Sequence, residues 1–308
     1  TNSMTSYYLG VDIGGTFIKL GIVDSTGQII KKEKITSTND MTQILTDLKN
    51  YLNEQQQYLD ISGVGISLPG VINHDGTMQT AGSLKKLIGL NVKEIAQDHL
   101  QLPVEIITDS KAVALAEGWL GNGANYSNYV CVTLGSAIGG AIVIDRKLYW
   151  GQGGLAGEFG VSLMGRENQE YKLDSTSLHA GVVGGLCRKY SLAIGKEVKD
   201  AKYIFDLAAQ KDALAKKYVD EFLDDVARLL TNISVYIAPE AILIGGGVSG
   251  NSQIMAEIQA AYTRIIHEYR VLSSVQMPQV IPCKLANDAG VIGSVKQIID
   301  MQQIGDNQ

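Results

Sequence analysis

A carboxylate, two glycines, a hydroxyl and an ammonium lie close together near the start of the chain. They are Asp12, Gly14, Gly15, Thr16 and Lys19. The backbone N–H groups of a glycine turn can bind an anion such as a phosphate, helped by a neighbouring hydroxyl and ammonium. Asp12, directly before this turn, could hold a metal-bound water. The alternative is an ordinary Gly-Gly hairpin, which needs glycine only because glycine tolerates positive φ.

A second carboxylate, Asp109, stands between a predicted strand at 104–107 and a predicted helix at 112–120. The dipole of a helix favours the ionised form of a carboxylate near its N-terminus. An ionised carboxylate in such a position can take the proton of a substrate hydroxyl. The alternative for Asp109 is a helix N-cap without a catalytic role.

Two further glycine-rich segments are candidates for ligand binding. Residues 151–160 carry Glu158, and residues 245–250 follow a short apolar strand. The second segment matches the GxGxxG pattern of dinucleotide-binding proteins. Its acidic candidate Glu268 falls inside a predicted helix, which disfavours a Rossmann oxidoreductase. No GxxxxGK[ST] motif occurs, so the sequence contains no Walker A phosphate loop.

The spacing of apolar residues predicts strands and helices that would position these groups. Strands are predicted at 7–11, 17–23, 28–35, 61–68, 104–107, 241–244 and 280–283, and helices at 41–58, 90–100, 112–120, 175–190, 200–207, 213–238, 253–269 and 288–301. This order predicts an α/β protein in which the glycine turns and Asp109 follow the ends of strands.

The strand–turn–strand pattern at the start of the chain occurs a second time. Residues 129–145 align with residues 8–24 without a gap, which places Gly135 on Gly14 and Ser136 on Gly15. A match of this length favours an internal duplication. Two similar lobes would place two glycine turns on opposite sides of a cleft that suits a polyphosphate.

The composition limits the class of protein. With 308 residues, 45% hydrophobic and 19% charged, the chain can form two globular lobes, and its net charge of −6 disfavours a nucleic-acid partner. No apolar run approaches the roughly 18 residues of a membrane helix, and no signal-peptide pattern opens the sequence. Cys131, Cys187 and Cys283 have no CxxC spacing. We therefore expect a cytoplasmic protein with reduced thiols and no membrane partner.

Seven short motifs occur in one order along nearly the whole chain. They are DIGGT at 12–16, SLPG at 67–70, TDSKA at 108–112, TLGSAIGG at 133–140, AGEFG at 156–160, LIGGGV at 243–248 and NDAGVIG at 287–293. Together they resemble the ROK family of sugar kinases and repressors, within the actin-like ATPase superfamily. The resemblance implies a two-lobed actin-like (ribonuclease-H-like) α/β fold with an interlobe cleft. The expected small lobe is 1–117 plus 289–308, and the expected large lobe is 118–288.

The resemblance also implies that the protein binds ATP, Mg²⁺ and a sugar, and transfers the γ-phosphoryl group to a sugar hydroxyl, usually at C6. Asp109 matches the catalytic base of the family, and Asp12 would position Mg²⁺ through water. The residues expected to bind ATP phosphates are Gly14, Gly15, Thr16, Lys19, Gly135 and Ser136, with Gly246 and Gly247 under the adenosine. The residues expected at the sugar are Gly70, Thr108, Asp109, Glu158 and Val161.

The sequence departs from the family pattern around the sugar. The ExGH motif of the family reads EFGV at 158–161, and residues 165–174 lack the cysteines of the family's CxCGxxGCxE segment. No structural zinc is therefore expected. The second sugar-binding carboxylate of the family has no clear counterpart, and Glu170 and Asp174 both remain candidates.

These departures resemble the zinc-free branch of the family, which includes β-glucoside kinases. A valine at Val161 in place of the family's histidine leaves more room near the sugar. We therefore expect a glucose-type sugar or a β-glucoside such as cellobiose as acceptor, with N-acetylmannosamine, fructose and mannose as alternatives. The acidic charge balance disfavours a DNA-binding repressor, and a non-catalytic sugar-responsive regulator is the alternative of another class. The family also suggests a homodimer.

Overall fold

The computed structural model describes residues 5–168 and 170–308 and divides them into two compact units. The first unit contains the chain up to Asn125, Arg146–Ala156 and Asn287–Gln308. The second contains Tyr126–Asp145 and Gly157–Ala286. Residues 118–125, 146–156 and 287–288 thus group with the first unit, whereas the expected lobe limits placed them in the large lobe. Those limits, 1–117 plus 289–308 and 118–288, remain a prediction.

The described residues form an alternating series of strands and helices. The strands are β1 (Tyr7–Ile13), β2 (Phe17–Asp24), β3 (Ile29–Thr36), β4 (Ile61–Leu68), β5 (Val104–Thr108), β6 (Tyr129–Leu134), β7 (Ile138–Ile144), β8 (Lys147–Tyr149), β9 (Ala241–Gly245) and β10 (Gln279–Pro282). The helices are α1 (Met41–Gln55), α2 (Val92–Leu100), α3 (Asp109–Leu120), α4 (Thr176–Ala180), α5 (Arg188–Ile194), α6 (Ala201–Ala209), α7 (Ala213–Ile237), α8 (Ser252–Glu268), α9 (Arg270–Ser273) and α10 (Ala289–Asp306).

The sheet of the first unit has the strand order β3-β2-β1-β4-β5. β1 pairs antiparallel with β2 and parallel with β4, and β5 extends the parallel part. Buried side chains of β1 such as Leu9 belong to the same core as Ile44 and Leu48 on the apolar face of α1. The carboxyl ends of parallel strands meet at one edge of a sheet. Asp12 on β1 and Asp109 after β5 are therefore both positioned at this edge.

The second unit repeats the arrangement, in agreement with the predicted duplication. In its sheet, β8-β7-β6-β9-β10, the central strand β6 again pairs antiparallel with one neighbour and parallel with the other. The register differs by one residue, because Tyr8 pairs with Val23 whereas Tyr129 pairs with Val143. The ungapped alignment therefore matches structurally equivalent residues in the first strand of each hairpin. In the second strand it is displaced by one residue.

Helix α10 packs very closely on the first sheet and on α3. A Cβ atom on Gly65 of β4 would collide with the Ser294 carbonyl oxygen of α10. A Cβ atom on Gly293 of α10 would collide with the Ala112 carbonyl oxygen of α3. Backbone atoms cannot move aside as a flexible side chain can, so this close approach requires glycine at both positions.

Residues 175–190, predicted as one helix, form separate segments. α4 ends at Ala180, Gly181 is extended with φ −69° and ψ 151°, and a π-helical turn covers Val182–Cys187 before α5 begins. The Val182 N–H donates to the Gly135 carbonyl (3.0 Å), at the turn between β6 and β7. The single-helix prediction is wrong because the spacing of apolar residues carries no information about this long-range hydrogen bond.

Candidate active site

Asp109 is the first residue of α3 and directly follows β5. The N-cap position belongs to Thr108, which makes no side-chain capping bond. One carboxylate oxygen of Asp109 accepts a hydrogen bond from the backbone N–H of Ser110 (2.8 Å). Asp109 therefore lies in the first turn of the helix, where the dipole favours its ionised form, and it does not serve as the N-cap.

The environment raises the pKa of Asp109 to about 6. The side chain is accessible to solvent, yet protein surrounds it closely, and the resulting desolvation is the largest cause of the rise. The hydrogen bond from Ser110 lowers the pKa, the negative charge of Asp12 raises it, and the positive charge of Lys111 lowers it. The carboxylate is therefore ionised at neutral pH and is a stronger base than an ordinary aspartate, as proton abstraction requires.

A cavity of about 190 Å³ in the first unit is lined by Asp109 and by the glycine turn after β1. Its other lining residues are Ile13, Ser37, Thr38, Asn39, Pro69, Ser83 and Leu84, besides Gly14 and Gly15. The cavity brings the candidate base and the candidate phosphate-binding turn together. The polar residues at 37–39 and Ser83 were not singled out from the sequence. The run of short polar residues after β3 is a signal for a polar loop at 37–39, but nothing in it places that loop or Ser83 beside Asp109.

Asp12 lies on β1 opposite Lys19 on β2. Its carboxylate accepts a hydrogen bond from the Ser67 hydroxyl (3.3 Å) and lies against the start of α10, where a Cβ atom on Gly290 would collide with it. Desolvation raises the pKa of Asp12, while Lys19 and Ser67 lower it. The Lys19 ammonium donates to the Asn287 carbonyl (3.4 Å). A half-buried carboxylate of this kind fits a Mg²⁺ ion bound mainly by water and phosphate oxygens.

The turn between β1 and β2 is open where a ligand would approach. The Gly14 N–H donates to the Phe17 carbonyl (3.0 Å), and the Gly14 carbonyl accepts from the Ser37 hydroxyl (2.8 Å). Among the described residues, no atom outside its chain neighbours lies within 4 Å of the position that a Cβ on Gly15 would take. Thr16 is exposed beside it. The turn is thus fixed through Gly14 and open at Gly15.

Gly70 and Thr108, both expected at the sugar, are joined to each other. The Thr108 hydroxyl donates to the Gly70 carbonyl, and Thr108 is buried. Gly70 has φ 108°, and a Cβ atom there would collide with the Thr80 carbonyl. Thr108 therefore fixes the backbone of Gly70, and the sugar contacts of both residues remain predictions.

In the second unit, the turn after β6 is held by its carbonyl groups. The Gly135 carbonyl accepts from the Val182 N–H (3.0 Å), and the Ser136 carbonyl accepts from the Gly184 N–H (2.9 Å). The break between α4 and α5 supplies these donors. Phosphate binding by Gly135 and Ser136 remains a prediction.

The two central glycines of the segment after β9 differ in their surroundings. Gly246 has φ 89°, and a Cβ atom on it would collide with the Leu134 backbone of β6. For Gly247, no atom of the described chain beyond its neighbours lies within 4 Å of a Cβ position. Gly246 is therefore required by the fold, whereas Gly247 leaves open space that suits the predicted contact with a flat adenine ring.

Glu158 is half-buried and Val161 is 67% exposed. Between them, the Phe159 ring packs on Gly140, where a Cβ atom would collide with it. The Val161 N–H donates to the Glu158 carbonyl (3.2 Å), so residues 158–161 form one tight turn. Sugar contacts of Glu158 and Val161 remain predictions.

The two candidates for the second sugar carboxylate have different environments. Glu170 is exposed and Asp174 is buried. The Asn168 amide donates to the Asp174 carboxylate (2.9 Å), and the His179 Nε2 lies 3.6 Å from it. The hydrogen bonds from Asn168 are the main reason that the pKa of Asp174 is lowered. Asp174 is thus held as an ionised carboxylate, and the choice between the two residues remains open.

Two wider features of the described residues concern metal clusters and membrane-spanning helices. Across residues 5–168 and 170–308, no group of three or more His, Cys, Asp and Glu side chains is placed to hold a metal ion. In the same part of the chain, no helix combines the length and the apolar character that crossing a membrane requires.

Comparisons with known proteins agree with the motif order. The model of the ROK family matches residues 8–300. A beta-glucoside kinase from Listeria monocytogenes is 32% identical over 256 residues, covering 80% of this chain and 85% of that protein. An N-acetylgalactosamine kinase from a Shewanella species is 30% identical over 302 residues, covering 93% and 95%.

A solved structure gives the same result for the fold. A ROK family protein from Streptococcus pneumoniae, in complex with sucrose, matches with a TM-score of 0.84 and 26% identity, covering 97% of this chain and 99% of that one. The expected actin-like α/β fold is confirmed. The chain belongs to the ROK family.

Proposed function

We propose that this protein transfers the γ-phosphoryl group of ATP to the 6-hydroxyl of a glucose-type sugar or a β-glucoside such as cellobiose, with Asp109 as the general base. The observation that carries the proposal is the cavity that Asp109 shares with the Gly14–Gly15 turn. A proton acceptor and a phosphate-binding turn at one cavity are what phosphoryl transfer to a hydroxyl requires.

The general activity, phosphorylation of a sugar, has independent support. The two relatives named above, at 32% and 30% identity, both phosphorylate sugars by name. The chain is a carbohydrate kinase of this family. The identity of its acceptor sugar and the role of Asp109 as its general base are what we propose beyond this activity.

The proposed chemistry follows from the position of Asp109. The carboxylate takes the proton from the 6-hydroxyl as that oxygen forms a bond to the γ-phosphorus. The bond from the γ-phosphorus to the oxygen bridging the β- and γ-phosphates breaks at the same time, and ADP leaves. The first turn of α3 holds the carboxylate ionised until the proton arrives.

Phosphate binding is proposed for the same residues that the sequence indicated. Gly14, Gly15, Thr16 and Lys19 would bind phosphate oxygens in the first unit, and Gly135 and Ser136 in the second. The open backbone at Gly15 supports this role. Gly246 and Gly247 would contact the adenosine.

Asp12 is the residue proposed to position Mg²⁺ through a water molecule. Its half-buried carboxylate, with desolvation disfavouring its charge, fits such an ion. When bound, Mg²⁺ supplies positive charge that neutralises the phosphate oxygens during transfer. The hydrogen bond from Ser67 and the close packing on Gly290 of α10 would orient the carboxylate for that contact.

The sugar would be bound by Gly70, Thr108, Asp109 and Glu158. Val161 is 67% exposed, and a valine in place of the family's histidine would leave more room near the sugar, which supports an acceptor that carries a second ring. The beta-glucoside kinase relative supports the same choice.

A sugar panel tests the proposal. ADP release is measured with glucose, cellobiose, N-acetylmannosamine, fructose and mannose, and the phosphorylated position is identified by ³¹P and ¹H NMR. We expect the highest kcat/KM for glucose or cellobiose, with the phosphate on the primary 6-hydroxyl. A higher kcat/KM for N-acetylmannosamine, fructose or mannose than for glucose and cellobiose would refute the proposed acceptor. Turnover of none of the five would favour a non-catalytic sugar-responsive regulator.

A further inference from the structure

Lys111 is a fully buried lysine on α3, two residues after Asp109. Burying an ammonium is costly unless the charge is paired or hydrogen-bonded. The chemistry proposed above gives this lysine no role. Its environment therefore needs an explanation of its own.

Three contacts of the Lys111 ammonium are made with one short segment. Its ammonium donates to the carbonyl of Gly154 (2.9 Å) and to that of Ala156 (3.4 Å). The centroid of the Trp150 ring lies 5.4 Å from the same nitrogen, within the range of a cation–π interaction. Lys111 therefore joins residues 150–156 to the helix that begins with Asp109. In the chain, this segment continues into Gly157 and Glu158.

The same segment has a second anchor that does not involve Lys111. The Gln79 amide donates to the Gly153 carbonyl, and Gly154 packs so closely on Ile72 that a Cβ atom would collide with the Ile72 carbonyl. Residues 150–156 are thus held from two sides. Loss of Lys111 should loosen this segment without releasing it.

Lys111 also provides positive charge to the environment of Asp109. Besides desolvation, the groups that act on the Asp109 carboxylate are, in decreasing order of effect, the Ser110 N–H, Asp12 from β1, the Ser110 hydroxyl and Lys111. Desolvation and Asp12 favour the protonated carboxyl, whereas Ser110 and Lys111 favour the carboxylate. Among the charged groups acting on Asp109, Lys111 thus opposes Asp12.

We propose that Lys111 is a positioning residue of the acceptor site, which fixes residues 150–156 against α3 and keeps Asp109 in the ionised form that accepts a proton. The second half of this proposal rests on the proposed function of Asp109 as general base. A lysine that served only to anchor the segment would affect stability and KM, but it would leave the titration of Asp109 unchanged.

The test compares Lys111→Gln, Lys111→Met and Lys111→Arg with the wild type. The titration of Asp109 is followed by the ¹³C signal of its carboxyl group, assigned by its absence in Asp109→Asn. Loss of the charge in Lys111→Gln or Lys111→Met should raise the Asp109 pKa by about half to one pH unit, because a nearby positive charge favours the carboxylate. Lys111→Arg keeps the charge and should titrate as the wild type does.

Two further readouts accompany the titration. The acidic limb of the kcat/KM profile should move to higher pH by the same amount in the uncharged variants. Amide hydrogen exchange in residues 150–156 should become faster in them. Lys49→Gln is the matched control, because the Lys49 ammonium also donates to a backbone carbonyl, that of Leu100 (3.0 Å), in the same unit. It should change neither readout.

Two results would overturn the proposal. One is an Asp109 titration that is the same in Lys111→Gln, Lys111→Met and the wild type. The other is an equal shift in Lys111→Arg, since the charge is then not the cause. The general-base function of Asp109 would fail separately, if Asp109→Asn kept full activity. The ¹³C titration does not depend on turnover, so it decides the role of Lys111 even in that case.

Discussion

At the scale of single residues, opposing interactions set the pKa of Asp109. Desolvation and the charge of Asp12 make its ionised form less favourable, while the Ser110 N–H and Lys111 make it more favourable. The balance leaves a carboxylate with a pKa of about 6. Such a group is ionised at neutral pH and still holds a proton better than an ordinary aspartate does. Both properties are needed in a general base.

This balance predicts the pH dependence of the reaction. A general base works only when ionised, so kcat/KM should fall with decreasing pH along a limb centred near pH 6, the pKa of Asp109. Initial rates between about pH 4.5 and 8, with saturating Mg²⁺, would measure this limb. A profile that stays flat down to about pH 4.5, well below that pKa, would contradict the assignment.

The same carboxylate should reduce the stability of the fold. Its pKa is higher in the folded state than the ordinary 3.8, so ionisation of Asp109 lowers the free energy of unfolding. This loss of stability is absent below about pH 4 and complete above about pH 6. The rise corresponds to about 3 kcal/mol for a buried group, and because Asp109 is accessible to solvent, screening reduces this to about 1 kcal/mol.

Asp109→Asn should therefore unfold at higher denaturant concentration than the wild type at pH 7, by an amount worth about 1 kcal/mol. The difference should disappear at pH 4. Urea titrations at the two pH values measure it. A variant that is less stable than the wild type at pH 7 would show that the carboxylate stabilises the fold.

At the scale of elements, the glycines of α10 set how close the helix lies to its neighbours. Gly293 meets α3 at the Ala112 carbonyl, and Gly290 meets the Asp12 carboxylate on β1. The NDAGVIG motif thus has a packing reason, because it allows the start of α10 to reach the carboxylate proposed to position Mg²⁺.

Gly293→Ala should destabilise the protein by roughly 3 kcal/mol, because the new methyl group meets backbone atoms that cannot yield. Gly305→Ala is the matched control on the same helix. No atom described outside the local helix lies within 4 Å of its Cβ position, so it should be neutral or stabilising by up to about 1 kcal/mol. Thermal or urea unfolding compares the two variants, and equal stability of both would contradict the packing account.

The elements also show how far the sequence could predict the fold. The two hairpins with glycine turns and the helices at 41–55 and 213–237 follow from apolar spacing and were predicted at nearly those positions. The break at Gly181 and the one-residue difference in hairpin register were not. The break depends on a hydrogen bond between residues far apart in the chain, Val182 and Gly135. The register depends on the length of the turn, with four residues between the paired Ile13 and Ile18 and three between Leu134 and Ile138, and the apolar periodicity encodes neither feature.

At the scale of the whole molecule, the order of seven motifs was more informative than any one of them. It predicted the family and the actin-like fold, which the comparisons confirm. The carboxylate at Asp109 could be identified from its place between a strand and a helix. The partners of Lys111 and the polar residues lining the Asp109 cavity could not, because only the folded chain brings Gly154 and Ser37 to those places.

Ligand binding should be visible as a change in the stability of the whole protein. A ligand that binds only the folded state at about 100 times its Kd adds roughly 2.7 kcal/mol, which corresponds to a rise in Tm of about 5 °C. Glucose or cellobiose, and separately ATP with Mg²⁺, should each raise Tm by such an amount. Glycerol at the same concentration is the control. Equal effects of glycerol and the sugars would argue against a specific sugar site.

The most direct test of the central claim is the turnover of Asp109→Asn with the best acceptor of the sugar panel. ADP release and the sugar-dependent rise in Tm are measured on the same preparation. If Asp109 is the general base, kcat falls by about 10²–10⁴-fold while the rise in Tm persists, because the sugar still binds. Turnover equal to that of the wild type would contradict the assignment.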